Sequence, residues 1–185
     1  TGNPIVNLKL DIILGCYWVT KYGSGAKGEG KVFESIKEAI IAYNFDELDI
    51  RAKIKVLIDT DTTKFGADVG KLLETSVGRI LFNEKLPNDF PYINRDITSK
   101  EINNILEDLI GRHGITPLLA GTLDRLKNFG FKYASRSGTT WGLDDIKVPA
   151  EKEKIIADAR QESHNLEERF QEGLLSDDEL YRLHI

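Results

Sequence analysis

The chain has 185 residues, 41% of them apolar and 30% charged, and a net charge of −5. That composition supports a genuine core and argues against disorder. The negative balance excludes an overall basic footprint for gripping phosphate backbones, so any contact with nucleic acid has to be local or supplied by a partner. One cysteine, Cys16, rules out an internal disulfide framework or a Cys-based zinc site and fits a reducing, cytoplasmic compartment. Cys16 sits in an apolar run with nothing nearby to lower its pKa, and reads as a small buried hydrophobe rather than a reactive thiol. The longest apolar run falls short of the roughly 20 residues a bilayer span needs, so no membrane partner is expected. No signal peptide is visible. The chain starts at Thr1, contains no Met and stops at Ile185 inside a fresh helical pattern, so a piece of a longer polypeptide is expected.

Residues 1–20 are apolar and β-rich, from Ile5 and Val6 to Trp18 and Val19, and predict an irregular segment and then a short helix or strand. A glycine-rich loop fills 21–31. Ser35 reads as the N-cap of a short helix with Ile36, Ala39, Ile40 and Tyr43 on one face. Lys53 to Asp59 alternates Ile54, Val56 and Ile58, the pattern of a half-buried strand. Asp59 to Thr63 is a polar turn, and 64–73 carry no clear pattern. Thr75 is the expected cap of a short segment from Gly78 to Leu86, broken by Asn88-Asp89-Phe90-Pro91. Thr98-Ser99-Lys100-Glu101 forms a capping box for a helix through Ile102, Ile105, Leu106, Leu109 and Ile110, closed by Gly114. Thr116-Pro117 opens the next helix, with Leu118, Leu119, Leu123 and Leu126 on its apolar face and Gly130 at its expected end. These two helices form an αα-hairpin.

Beyond Pro149 the texture changes. Residues 150–172 are highly charged, with Ile155, Ile156, Ala159, Leu166 and Phe170 as a thin stripe close to a coiled-coil seam. Gly173 stops this helix, and Ser176-Asp177-Asp178-Glu179 is a second capping box before Leu180 and Leu183. The predicted class is α+β: a mixed domain over 1–147 with short strands and the αα-hairpin, then a projecting, truncated helical hairpin over 148–185.

Several motifs invite a catalytic reading. Gly23-Ser24-Gly25-Ala26-Lys27-Gly28 matches GxGxxG, and Gly25 through Lys31 matches GxxxxGK. Lys31-Val32-Phe33 is strand-like where a dinucleotide motif needs a helix, and Val32 stands where a P-loop needs Ser or Thr, so a surface loop is the preferred reading. Asp59-Thr60-Asp61 reads as a β-turn rather than a two-carboxylate metal site. His113, His164 and His184 are far apart, two of them on predicted polar helix faces, and no metal or general-base set is arguable. Arg79 is either solvated or buried against a carboxylate such as Glu74 or Glu84. Asp144 and Asp145 follow the Arg136-Ser137-Gly138 turn. Their carboxylates either satisfy exposed backbone N–H groups or pair with Arg136, or else form a polar lip touching solvent, nucleotide or a partner.

Four blocks carry a family resemblance. They are Pro4-Ile5-Val6 with Asp11 to Thr20; Gly28 to Phe33 with Glu38-Ala39 and Ala52 to Val56; Thr75 to Asn83 with Leu86-Pro87; and Leu123 to Asp145. In order and spacing they resemble the β′ subunits of bacterial RNA polymerase over essentially the whole chain. The resemblance implies a segment that follows the active-site loop: a pore, or secondary-channel, domain and the first part of the rim helices, within an enzyme that transcribes DNA into RNA by two-metal nucleotidyl transfer. It implies that no catalytic residue and no metal ligand lies in this chain, the magnesium of the full enzyme being bound outside it. Arg136, Ser137, Asp144 and Asp145 become candidates for the channel lip, and Glu167, Glu168 and Asp177 for docking of secondary-channel transcription factors. The implied partners are the β, α, ω and σ subunits, with DNA and RNA met through the assembled enzyme. Leu8-Lys9-Leu10 stands where the family shows Pro-Ser-Gln, so no pore role is carried over for that glutamine. Some relatives contribute an alarmone site from the helix holding Asp124; here Asn128 and Pro117 replace its Tyr and Lys, and that site is not carried over. A mixed-charge wall agrees with a route that passes anionic nucleotides without trapping them, and a polar hairpin suits reversible docking of another coiled coil. Two rival readings are a stand-alone helical-hairpin interaction module and a nucleotide-binding enzyme using the Gly23–Lys31 loop.

Overall fold

A computed structural model describes residues 8–59 and 64–184. Ile5, Val6 and Thr60 to Thr63, with the turn and metal readings placed there, lie outside the described residues. The chain divides into two compact units, Thr1–Thr139 and Thr140–Ile185. The 147/148 boundary expected from the change in texture falls inside the second.

The first unit is built on α1 (Asp11–Thr20), a helix apolar on nearly all sides. Such a helix has to be enclosed. It lies against α3 (Val77–Asn83) and α5 (Pro117–Ser137). Glycines make both crossings possible. A Cβ on Gly15 would stand 1.8 Å from the Gly130 carbonyl oxygen, one on Gly130 would stand 2.5 Å from that of Ile12, and one on Gly78 would stand 1.9 Å from that of Val19. Gly130 therefore does not end α5 as expected. It is a crossing residue in mid-helix, and α5 continues to Ser137, where Gly138 at φ 61° supplies the left-handed turn that ends it.

A small sheet flanks the helices. β1 (Val32–Phe33) pairs parallel with β2 (Ile54–Leu57), and β2 pairs antiparallel with β3 (Leu72–Thr75) in the register Ile54↔Thr75 to Leu57↔Leu72. The alternation of Ile54 and Val56 buries one face of β2, as the sequence predicts. β3 begins in the 64–73 stretch without a sequence pattern and ends on Thr75, the expected cap; it is a strand because β2 offers it a ladder. Since Thr75 closes β3, the cap of α3 is Ser76, whose hydroxyl accepts from the Arg79 N–H.

Local caps otherwise fall where the sequence places them. Ser35 accepts from Glu38 N–H to start α2 (Ile36–Asn44), and Thr98 accepts from Glu101 N–H to start α4 (Ser99–His113). The Glu101 carboxylate does not return the bond; it takes Arg95 Nε instead. Ile102, Ile105, Leu106 and Leu109 of α4 join Leu119 and Leu126 of α5 in the core, while Leu118 is exposed.

In the second unit an exposed segment leads into α6 (Lys152–Gln171) and α7 (Asp177–His184). Gly173, at φ 73°, ends the first helix. Glu179 accepts from both the backbone N–H and the hydroxyl of Ser176, and donates its own N–H to that hydroxyl, closing the expected capping box. Leu166 is the buried residue of α6, whereas Ile155 is 63% exposed. The coarse class is as predicted: α+β, with a small sheet, seven helices among the described residues and a terminal helical hairpin.

Candidate functional site

The densest polar constellation in the first unit surrounds Arg79, which takes the buried of its two expected alternatives but with a different carboxylate. Arg79 is 5% exposed and pointed inward. Its Nε donates to the Thr20 carbonyl at the C-terminus of α1 (2.9 Å), where a cation meets the negative end of the helix dipole. Nη1 donates to the Tyr22 hydroxyl (2.8 Å), and to the carbonyl (3.0 Å) and side-chain oxygen (3.1 Å) of Asn94. Nη2 meets Asp96 Oδ1 at 2.8 Å. The guanidinium also lies 3.8 Å from the centre of the Tyr22 ring. Its carboxylate is thus Asp96, 17 residues on, and neither Glu74 nor Glu84. Around it, Asn83 bridges Arg79 O and both backbone groups of Ile93 at 2.8 Å, and Thr20 Oγ1 accepts from Ile97 N–H at 3.0 Å. The Thr75 and Tyr92 hydroxyls meet at 2.8 Å. Burial, only partly offset by that bond, raises Tyr92 well above the usual phenol range. Each of the three guanidinium nitrogens donates to protein, and these bonds tie the 84–97 segment to α1 and α3.

The four lip candidates fall into two pairs. Arg136 and Ser137 occupy the last turn of α5 rather than a turn after it. Arg136 Nη1 lies 3.4 Å from the Tyr43 hydroxyl. Ser137 donates to Ala134 O (2.7 Å) and accepts from Thr139 N–H (3.1 Å), so its hydroxyl serves the helix end. Asp144 and Asp145 sit in a 3-10 turn of the second unit. Asp145 Oδ2 accepts from Gly142 N–H at 2.8 Å, the backbone-satisfying role that the sequence offered as one alternative. Trp141, Leu143, Ile146 and Val148 beside them are exposed. Among the docking candidates, Glu167 and Glu168 are exposed on α6, with Glu168 Oε1 3.3 Å from His164 Nε2, and Asp177 is exposed in the first turn of α7.

The remaining motifs find structural roles. Gly25 N–H donates to Glu29 Oε2 at 2.9 Å, so a carboxylate of the loop itself stands where a phosphate cradle would need an anion. Lys31 lies 3.7 Å from Glu47 Oε2, and β1 follows the loop where a helix would be required. Cys16 is fully buried, which pushes its thiol up to about 12 and leaves it an inert core residue. His113 has a neighbour that the sequence did not reveal: its Nε2 lies 3.3 Å from Asp89 Oδ2, without hydrogen-bond geometry. Among the described residues no three His, Cys, Asp or Glu side chains gather as metal ligands, and no helix is long and apolar enough to cross a membrane.

The first unit is a helix-crossed α+β body around a buried arginine, and the second carries an exposed, charged helical hairpin. Residues 1–146 match the family model described as RNA polymerase Rpb1, domain 3, and the chain belongs to that family. Among its relatives, the DNA-directed RNA polymerase subunit beta' of Thermobifida fusca is 35% identical over 96% of this chain and 14% of its own length. The subunit of the same name from Acidothermus cellulolyticus is 37% identical over 96% of the chain and 14% of its own length, and that from Desulforudis audaxviator is 37% identical over 98% and 15%. The chain thus spans only a small part of the relatives it matches.

Proposed function

We propose that this chain is the pore-domain segment of a β′ subunit, working within an assembled DNA-directed RNA polymerase that transcribes DNA into RNA. It shapes the secondary channel and offers the start of the rim hairpin to transcription factors. The observation that carries this reading is a match that runs through both units: relatives named as beta' subunits align over 96–98% of the chain, beyond the end of the domain model at residue 146. Physical support comes from the two units taken separately. In the first, the buried polar groups around Arg79 are bonded within the fold. In the second, Glu167, Glu168 and Asp177 are presented to solvent, where charges mainly set encounter rate and specificity. The proposed assembly partners are the β, α, ω and σ subunits. The magnesium-dependent bond-making is assigned to residues outside this chain.

A segment exchange tests the proposal. Residues 1–185 replace the matching part of the Thermobifida fusca subunit, and the reconstituted polymerase is assayed for RNA synthesis. Assembly with synthesis is the expected result, while the isolated chain turns over no nucleotide. Nucleotide turnover by the isolated chain, abolished by Lys31→Ala, would instead establish the rival enzyme reading.

A further inference from the structure

In a chain of net charge −5, α5 runs the other way. Between Arg125 and Arg136 it carries four cations and no acid. Three of them, Arg125, Lys132 and Arg136, line a groove of about 760 Å³ with Lys85 from the end of α3 and Tyr43 from α2. Asp46 is the only acid among the lining residues. The cations are not neutralised within the fold. Arg125 donates to Lys85 O (3.1 Å) and Thr122 Oγ1 (2.8 Å), Arg136 reaches the Tyr43 hydroxyl, and Lys132 lies 5.5 Å from the centre of the Tyr133 ring. Lys127, the fourth cation of α5, is paired with Asp124 at 2.7 Å and does not line the groove; of the lining cations Lys85, Arg125, Lys132 and Arg136, only Lys85 has a carboxylate within 4 Å among the described residues, that of Glu84 at 3.7 Å.

We propose that this groove is a docking site for an acidic segment of a protein partner, a run of Asp and Glu laid along α5. The row from Arg125 to Arg136 is about 16 Å long at the helical rise, which matches about five residues of extended chain and outreaches a single carboxylate or phosphate. Asn44 and Asn128 add neutral amides between the charges, and guanidinium forks pair well with carboxylates. A single-stranded nucleic acid fits less well, because it needs exposed ring faces on which to stack. Two of the three rings lining the groove are sunk in the core, Phe129 at 5% and Tyr133 at 3% exposed, and the third, Tyr43, is half-buried with its hydroxyl against Arg136. Burial first, and then the nearby Tyr43, push the Tyr133 phenol up to about 12, so it stays a neutral hydroxyl. This proposal stands on the groove alone and does not depend on the proposed function.

The test is fluorescence anisotropy of the full 185-residue chain with a fluorescein-labelled (Glu-Glu-Ala)₄ peptide at about 50 mM salt. Saturable binding is expected, weakened about tenfold or more by the pair K132E/R136E and unchanged by K152E/K154E on α6. Both groove residues are exposed, and far-UV circular dichroism checks that the fold is kept; if the reversed pair unfolds, K132Q/R136Q is read in its place. Three results would overturn the proposal: no saturable binding, equal weakening by the groove and α6 pairs, or displacement of the peptide by a U₁₂ RNA or by ATP at lower concentration than by unlabelled peptide.

Discussion

The two units spend their polar residues in opposite ways. In the first, Arg79, Asn83, Thr20 and Thr75 are buried and bonded to backbone or to neighbouring side chains, and three glycines let α1 lie directly on its neighbours. In the second, nearly every charge of α6 faces water and a single side chain of that helix, Leu166, is buried. A buried polar network that is fully satisfied fixes one arrangement of the chain. A helix with a thin apolar stripe and exposed charges keeps its side chains available. The contrast separates the buried polar network that holds shape in the first unit from the solvent-facing charges of α6 in the second.

The largest expected effect comes from breaking the helix crossing. Gly15→Val drives side-chain atoms into the Gly130 carbonyl, a clash with backbone that no rotamer relieves. Overpacking of this kind costs about 3 kcal/mol or more, and urea unfolding should show the first unit lost while α6 and α7 keep their helicity. Arg79→Met comes next. It strands Asp96, Tyr22, Asn94 and the Thr20 carbonyl. Removing one partner of a buried pair costs about 3–5 kcal/mol. Because Asp96 is 42% exposed, water recovers part of that loss and the lower end of the range is expected.

The response to pH sharpens the contrast further. Burial raises Cys16 to about 12 from an ordinary 9.0, and raises Tyr133 to about 12 from 10.0. A group whose folded pKa lies above its unfolded one contributes fully below the unfolded value and loses its contribution as pH rises towards the folded value. The first unit should therefore weaken between about pH 9 and about pH 12, and Cys16→Ala should flatten the lower part of that fall in thermal melts followed by near-UV circular dichroism. Glu179 moves the opposite way, held below the usual carboxylate range by the backbone N–H and then the hydroxyl of Ser176. Its contribution is present above the ordinary carboxylate value and is lost as pH falls through the lowered one. The smallest expected effect is thus an acid-side fraying of α7, read by NMR titration of Glu179, with Ser176→Ala returning its pKa towards the ordinary value.

What the sequence made legible was what it determines locally. Ser35, Thr98 and Ser176 mark helix starts because a cap is satisfied three residues on, and Pro117 does so because proline suits the first turn, where its missing N–H costs nothing. Gly130 misled because a glycine that ends a helix and one that admits a neighbouring helix look alike in sequence, and Ile12 is what distinguishes them. Leu72–Thr75 lacks alternation and becomes a strand only through its ladder with β2. Arg79 called for a carboxylate, but the partner was set by the path of the 84–97 segment and not by closeness in sequence. Of the candidate lip, Arg136 with Ser137 and Asp144 with Asp145 were each legible as neighbours, since adjacency is all that a sequence guarantees.

The most direct test of the division between holding and offering is made in the exchanged polymerase that carries this segment. Glu167→Lys with Glu168→Lys on α6 is compared with the parent for two quantities: the Kd of a coiled-coil secondary-channel factor and the rate of RNA synthesis without it. The account predicts a Kd weakened about tenfold or more with synthesis unchanged. Intact factor binding alongside lost synthesis would contradict it.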